Sequence, residues 1–179
     1  MMNRLLGYFV FAVWACFGMN TLAQSSPVLE EHEMLKMDEG VWSAKITMWA
    51  DPDTEPTIST AKETNTMVGK LWSIGKLEGN IGGMDYVGYA TLGYDPIQKK
   101  YVGTWVDSVT PAITQMVGTY GVKTKTLTLF YSISGPDGQE EKRKNVMVYK
   151  DKSTRDFTMF IKNGDEWIRS MEIMYARIE

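Results

Sequence analysis

The side chains that could do chemistry are few, and their spacing restricts what they could do. His32 is the single histidine of the 179-residue chain and stands beside Glu33, so it cannot build a multi-histidine metal centre. The single cysteine, Cys16, falls within an N-terminal apolar stretch. A structural zinc therefore has no ligand set, and no internal disulfide can form. One histidine could still serve as an axial haem ligand, but packing on or against a helix is its ordinary role. The acids of Asp51-Pro52-Asp53-Thr54-Glu55-Pro56 lack the glycine and the distal glutamate of a calcium loop and read as a plain turn. No Gly-x-Ser-x-Gly elbow, phosphate-binding glycine loop or ordered Ser/His/Asp set occurs. Asp107, two residues after Trp105, is the one acid whose apolar neighbourhood could raise its pKa if it points inward; an ion pair with an arginine such as Arg169 is the ordinary alternative. No catalytic residue, metal or cofactor is expected, and a non-enzymatic role follows.

A second kind of chemistry is binding. Methionines such as Met84, Met116 and Met159, and tryptophans such as Trp72 and Trp105, recur along the chain. Methionine is adaptable and suits a forgiving apolar pocket, although gap-filling in a core is its common use. Trp72, Trp105, Asp107 and Met116 are the candidate lining of an interior site for a small apolar ligand. The formal charge of −3 and the shortness of the one basic cluster, Lys142-Arg143-Lys144, argue against a nucleic-acid partner. That cluster reads as a solvated strand edge.

The elements that must position these residues are strands. From Gly82 to Ser108, β-branched and aromatic residues alternate with small or polar ones on both sides of Tyr94-Asp95-Pro96, which predicts a long hairpin. If Tyr94 lies opposite Tyr101, then Ala90 faces Trp105 and Gly88 faces Asp107, and small residues leave room for an indole and a carboxylate. The other face then carries Tyr89, Thr91 and Thr104, and a one-residue slip exchanges the faces. Trp42, Ala44, Ile46 and Met48 alternate with polar residues, and so do Leu127, Leu129, Tyr131 and Ile133. Similar units cover 58–68, 71–78, 112–120, 143–150, 157–162 and 167–177, with turns at Gly135-Pro136-Asp137-Gly138 and Asn163-Gly164. The fold class expected is all-β, about ten antiparallel strands in an up-and-down barrel, preceded by a short helix over Pro27–Asp38.

Residues 1–23 read as a cleaved signal peptide: Arg4 is the positive start, Leu5 to Met19 the apolar run, and Ala23 the small residue before Gln24. That run is shorter than the about 20 residues of a membrane span. Residues 24–179 then form the single domain, exported to the periplasm or secreted. A lipoprotein anchored at Cys16 is the lesser alternative, because Trp14 is bulky for that motif.

Glu31-His32-Glu33, Gly40-Val41-Trp42, Thr91-Leu92-Gly93-Tyr94-Asp95, Tyr101-Val102-Gly103-Thr104-Trp105-Val106-Asp107-Ser108, Gly118-Thr119-Tyr120 and Met171-Glu172-Ile173-Met174-Tyr175-Ala176-Arg177 resemble the bacterial domain-of-unknown-function family 1579. The resemblance covers about Leu29 to Arg177. It implies a calycin-like barrel akin to lipocalins and haem-binding nitrobindins, in a family without an established activity. It further implies that Trp42 on the first strand closes the barrel floor with Arg177 lying over it, Arg169 being the alternative partner because it shares the parity of Arg177. No histidine lies near the C-terminal strands, so haem is not carried over. The resulting expectation is a barrel holding a small apolar or amphipathic ligand; the alternative is an envelope interaction module with a filled barrel that pairs strands with a partner.

Overall fold

Successive side chains of a strand point to opposite faces, so alternation of apolar and polar residues drives one face of each segment inward. In the computed structural model, which describes residues 27–135 and 138–179, ten such segments form a closed antiparallel barrel. They are β1 (Gly40–Met48), β2 (Thr57–Val68), β3 (Trp72–Ile81), β4 (Met84–Asp95), β5 (Lys100–Asp107), β6 (Thr114–Gly121), β7 (Thr126–Ser134), β8 (Glu140–Tyr149), β9 (Thr154–Asn163) and β10 (Glu166–Arg177). Each pairs with its neighbours in sequence, and β1 pairs with β10, Trp42 opposite Arg177 and Met48 opposite Met171. The signal peptide with Cys16, and Pro136 and Asp137 of the turn between β7 and β8, lie outside the described residues.

The central hairpin takes the register read from its sequence: Tyr94 opposite Tyr101, Ala90 opposite Trp105 and Gly88 opposite Asp107. Room is the reason. A Cβ on Gly88 would overlap the Trp105 ring, so only glycine lets the indole lie against that strand. On the other face the Thr91 and Thr104 hydroxyls meet at 2.8 Å.

Two sequence expectations are corrected by closure. Arg143 and Lys144 do not guard a strand edge, because β8 is paired there with both β7 and β9, and only Lys142 of the cluster is paired on the β7 side alone. The parity of β8, on which Tyr149 is buried, turns Arg143 inward with Asn145 and Met147. For the same reason the strands that the interaction-module alternative offers to a partner are already paired with each other.

The segment before β1 is a 3-10 helix, Glu30–Met37, rather than a longer helix from Pro27. Its first turn is tied by the Leu29 amide, which donates to His32 Nδ1 at 3.0 Å. His32 is buried, with its ring edge-on to Tyr94 at 5.8 Å. Tyr101 Oη donates to the Glu31 carbonyl at 2.7 Å, fixing the helix to β5. Leu35, fully buried, and Met34 pack with Tyr101, Leu127, Leu129 and Tyr149, and a second cluster joins Trp42, Ala44, Ile46, Leu77, Ile173 and Tyr175. The helix thus caps one end of the barrel, where Trp42 begins its inward row and Arg177 ends its own.

Candidate functional site

The interior has two polar regions, and they differ in how far their donors and acceptors are matched. At the helix-capped base, Arg155 is 1% exposed and makes ion pairs with Asp38 through Nη1 and with Glu63 through Nη2. Its guanidinium lies 4.3 Å from the Trp42 ring and 4.5 Å from that of Tyr175. Tyr149 Oη donates to both Asp38 oxygens at 3.0 and 3.1 Å, and Asn65 Nδ2 donates to Glu63 at 2.6 Å. Burial pushes the Asp38 carboxyl above its ordinary value, against the pull of Arg155. Tyr149 is also pushed well up, by burial and by the Asp38 charge.

Arg177 extends this lattice. Its guanidinium stacks 4.1 Å from the Trp42 ring, and its Nη2 and Nε donate to the Met37 and Lys152 carbonyls at 3.0 and 2.8 Å. Trp42 Nε1 donates to the Asp38 carbonyl at 2.8 Å. Gly40, at φ 118°, is required here, since it takes a left-handed backbone and a Cβ would overlap the Arg177 side chain. A cation over an indole at such a half-buried position contributes about 0.5–2 kcal/mol. Arg169, the alternative partner, is elsewhere: a bulge between Arg169 and Met171 breaks the parity of β10, and Arg169 stacks outside over Trp49 at 4.2 Å while pairing with Glu172. Arg155 carries the same cation chemistry on Trp42 and was not singled out from sequence, because it lies at the start of β9 next to a turn.

At the remote end, here called the mouth, the inward residues of β4 to β10 include Tyr86, Trp105, Asp107, Met116, Tyr131, Arg143, Asn145, Met159, Ile161 and Met171. Each keeps part of its surface exposed, whereas Leu35, Trp42, Tyr149 and Arg155 of the base are almost wholly buried, although Glu63, Tyr94 and Tyr120 there keep some exposure too. Trp105 Nε1 donates to Asp107 Oδ2 at 2.9 Å, and the Val109 and Thr110 amides donate to Oδ1 at 2.9 and 2.7 Å. These contacts correct both expectations for Asp107. Burial raises its pKa, but the Val109, Trp105 and Thr110 donors outweigh burial and hold the carboxyl below its ordinary value. Arg169 is not its partner; the indole and the loop amides are.

Across the interior, Tyr131 Oη donates to Asn145 Oδ1 at 3.2 Å, and Asn145 Nδ2 points to Met116 Sδ at 3.5 Å. Arg143 pairs through Nε with Glu141, its neighbour on the inward row of β8, and its Nη1 points to Met159 Sδ at 3.9 Å. Trp105 and Met116, candidates from sequence, therefore share the mouth with Asp107. Trp72 does not. It lies on the outer face of β3, 39% exposed, with its ring over Gly93, because Ser73, Gly75 and Leu77 take the inward positions. Tyr131, Arg143 and Asn145 were missed, although the alternation that selected Leu127 and Leu129 also placed Tyr131 inward.

Among solved structures, the fold is similar to that of Rv2717c from M. tuberculosis, with a TM-score of 0.58 at 13% identity over 86% of this chain and 100% of that one. It is also similar to the S-type phycobiliprotein lyase CPES from Guillardia theta, with a TM-score of 0.57 at 11% identity over 84% of this chain and 94% of that one. At such identities the likeness is one of fold. No functionally curated protein matches the sequence significantly. The family described as "Protein of unknown function (DUF1579)" matches residues 28–177, nearly all of the described barrel, and the chain belongs to it.

Proposed function

We propose that the protein is a carrier that holds a small apolar or amphipathic molecule in the mouth half of its barrel. One observation carries this reading. The charges of the base are paired and Trp42, Leu35, Tyr149 and Arg155 there are almost wholly buried, Arg155 Nε alone lacking a partner among the described residues, whereas Trp105, Met116, Tyr131 and Met159 of the mouth face the interior yet retain contact with solvent. Inward residues that stay in contact with water suit a site in the mouth of a barrel. The methionines supply an adaptable apolar wall. The same exposure speaks against a side-chain-filled barrel acting only through its surface. Similar folds include a lyase named for phycobiliproteins, and that name belongs to that protein.

In this reading residues 1–23 direct export and residues 24–179 form the working domain. Native mass spectrometry of detergent-free protein incubated with a lipid extract should show a bound small molecule. Protein that takes up nothing from the extract would overturn the carrier. Intact mass after expression of the full chain in a bacterial host tests export separately, with Gln24 as the expected new N-terminus.

A further inference from the structure

The carrier reading leaves the polar end of the ligand unspecified, and the mouth bears on it. Among the described residues, two strong donors there end on thioether sulfurs: Arg143 Nη1 on Met159 and Asn145 Nδ2 on Met116. A thioether is a weak acceptor, and a guanidinium half inside a barrel ordinarily finds an oxygen. Glu141 engages only the Nε edge of Arg143 in hydrogen-bonding geometry, Nη1 faces the Met159 sulfur, and the Tyr131 hydroxyl is the neutral oxygen near enough to interact with the guanidinium. Strand parity makes Arg143 the inward cation of the mouth among the described residues, since Lys142 and Lys144 point outward and Lys144 lies over Phe160 and Trp167.

We propose that the fork of Arg143, with Tyr131 and Asn145 beside it, binds the carboxylate head of a singly charged amphipathic acid whose tail lies along Met116, Met147, Phe157 and Met159. This rests on the carrier reading and assigns its ligand class. Two points select a carboxylate over a dianionic phosphate. A planar guanidinium edge matches two carboxylate oxygens. Glu141 and Asp107 already outnumber the one inward cation, so every ligand charge beyond the one that the Arg143 fork hydrogen-bonds adds repulsion with no compensating contact, which disfavours a dianion more than a monoanion. The tail surface follows from the pairing of Met147 with Phe157 and of Asn145 with Met159 across β8 and β9, on the inward faces below Arg143.

Isothermal titration with decanoate, decanol and decyltrimethylammonium, which share one tail, tests the head group. Decanoate should bind about tenfold or more tightly than decanol, as a charge-assisted hydrogen bond implies, and the cation should bind no better than the alcohol. Arg143→Met should abolish the preference, bringing decanoate affinity down to that of decanol or below, and Arg143→Lys, which keeps charge without the fork, should retain only part of it. Tyr131→Phe, a smaller change to the fold, should reduce the preference without removing it, which keeps the test open if Arg143→Met folds poorly. Equal binding of decanoate and decanol, or a preference that survives in Arg143→Met, overturns the carboxylate site and leaves the carrier standing. Binding of none of the three probes overturns both.

Discussion

Arg155 and Arg143 are two inward arginines of one barrel, and their surroundings are opposite. Arg155 has a carboxylate on each terminal nitrogen, an aromatic ring near its guanidinium on both Trp42 and Tyr175, and side-chain exposure of only 2%. Arg143 has one carboxylate on its Nε, a thioether on Nη1 and side-chain exposure of 24%. The difference lies in what each end does with desolvation. A buried charge is tolerable only when matched, and the base supplies Asp38, Glu63 and hydrogen bonds from Tyr149 and Asn65 to match it. The mouth keeps its cation partly hydrated, so its surroundings can remain incomplete. Paired charges are concentrated at one end of the cylinder and partly hydrated ones at the other.

The most damaging way to test this contrast is Arg155→Met, which leaves Asp38 and Glu63 buried without a cation. It should cost about 3–5 kcal/mol of stability in urea unfolding, and a loss as small as that of a surface pair would dissolve the distinction between the ends. Gly88→Ala comes next. The added methyl must displace the Trp105 ring, so we expect a loss of about 1–3 kcal/mol and a shift in tryptophan emission, with the base left intact. Arg143→Met should change stability by about 0–1 kcal/mol, because its pair with Glu141 is partly solvated, while altering the mouth's ligand preference. The smallest effect concerns pH. The Asp107 carboxyl lies below its ordinary value of 3.8, so it adds stability that is complete above that value and is lost as pH falls through the depressed one. Asp107→Asn should therefore flatten the acid limb of a melting-temperature profile below about pH 4 and leave the neutral region with a small, pH-independent change.

Most of the fold was legible because period-two alternation is a local property. Tyr94-Asp95-Pro96 and the flanking small residues were enough to set the register of the central hairpin, since Gly88 and Ala90 are the positions that admit Trp105. The site was legible only where a residue's face could be read from its own strand. Trp72 was selected as an aromatic, whereas the alternation of Ser73, Gly75 and Leu77 with it places it outside. Arg169 was linked to Arg177 by parity, and a bulge that leaves no clear mark in Arg169-Ser170-Met171 cancels parity between them. Asp38, Glu63 and Arg155 come from a helix terminus and two distant strands. Their association arises from barrel closure, which no local spacing announces.

The seam between β1 and β10 also bears on how the molecule is made. Val41 exchanges hydrogen bonds with Glu179 and Ile178, and Ser43 reaches Ala176 across 133 positions of chain. A chain in which β10 has not yet formed would be a curled sheet with two raw borders, and Trp42 would lack its Arg177 cover. Closure therefore makes β10 the latch of the whole assembly, and a chain cut within it should be aggregation-prone rather than a slightly shortened barrel.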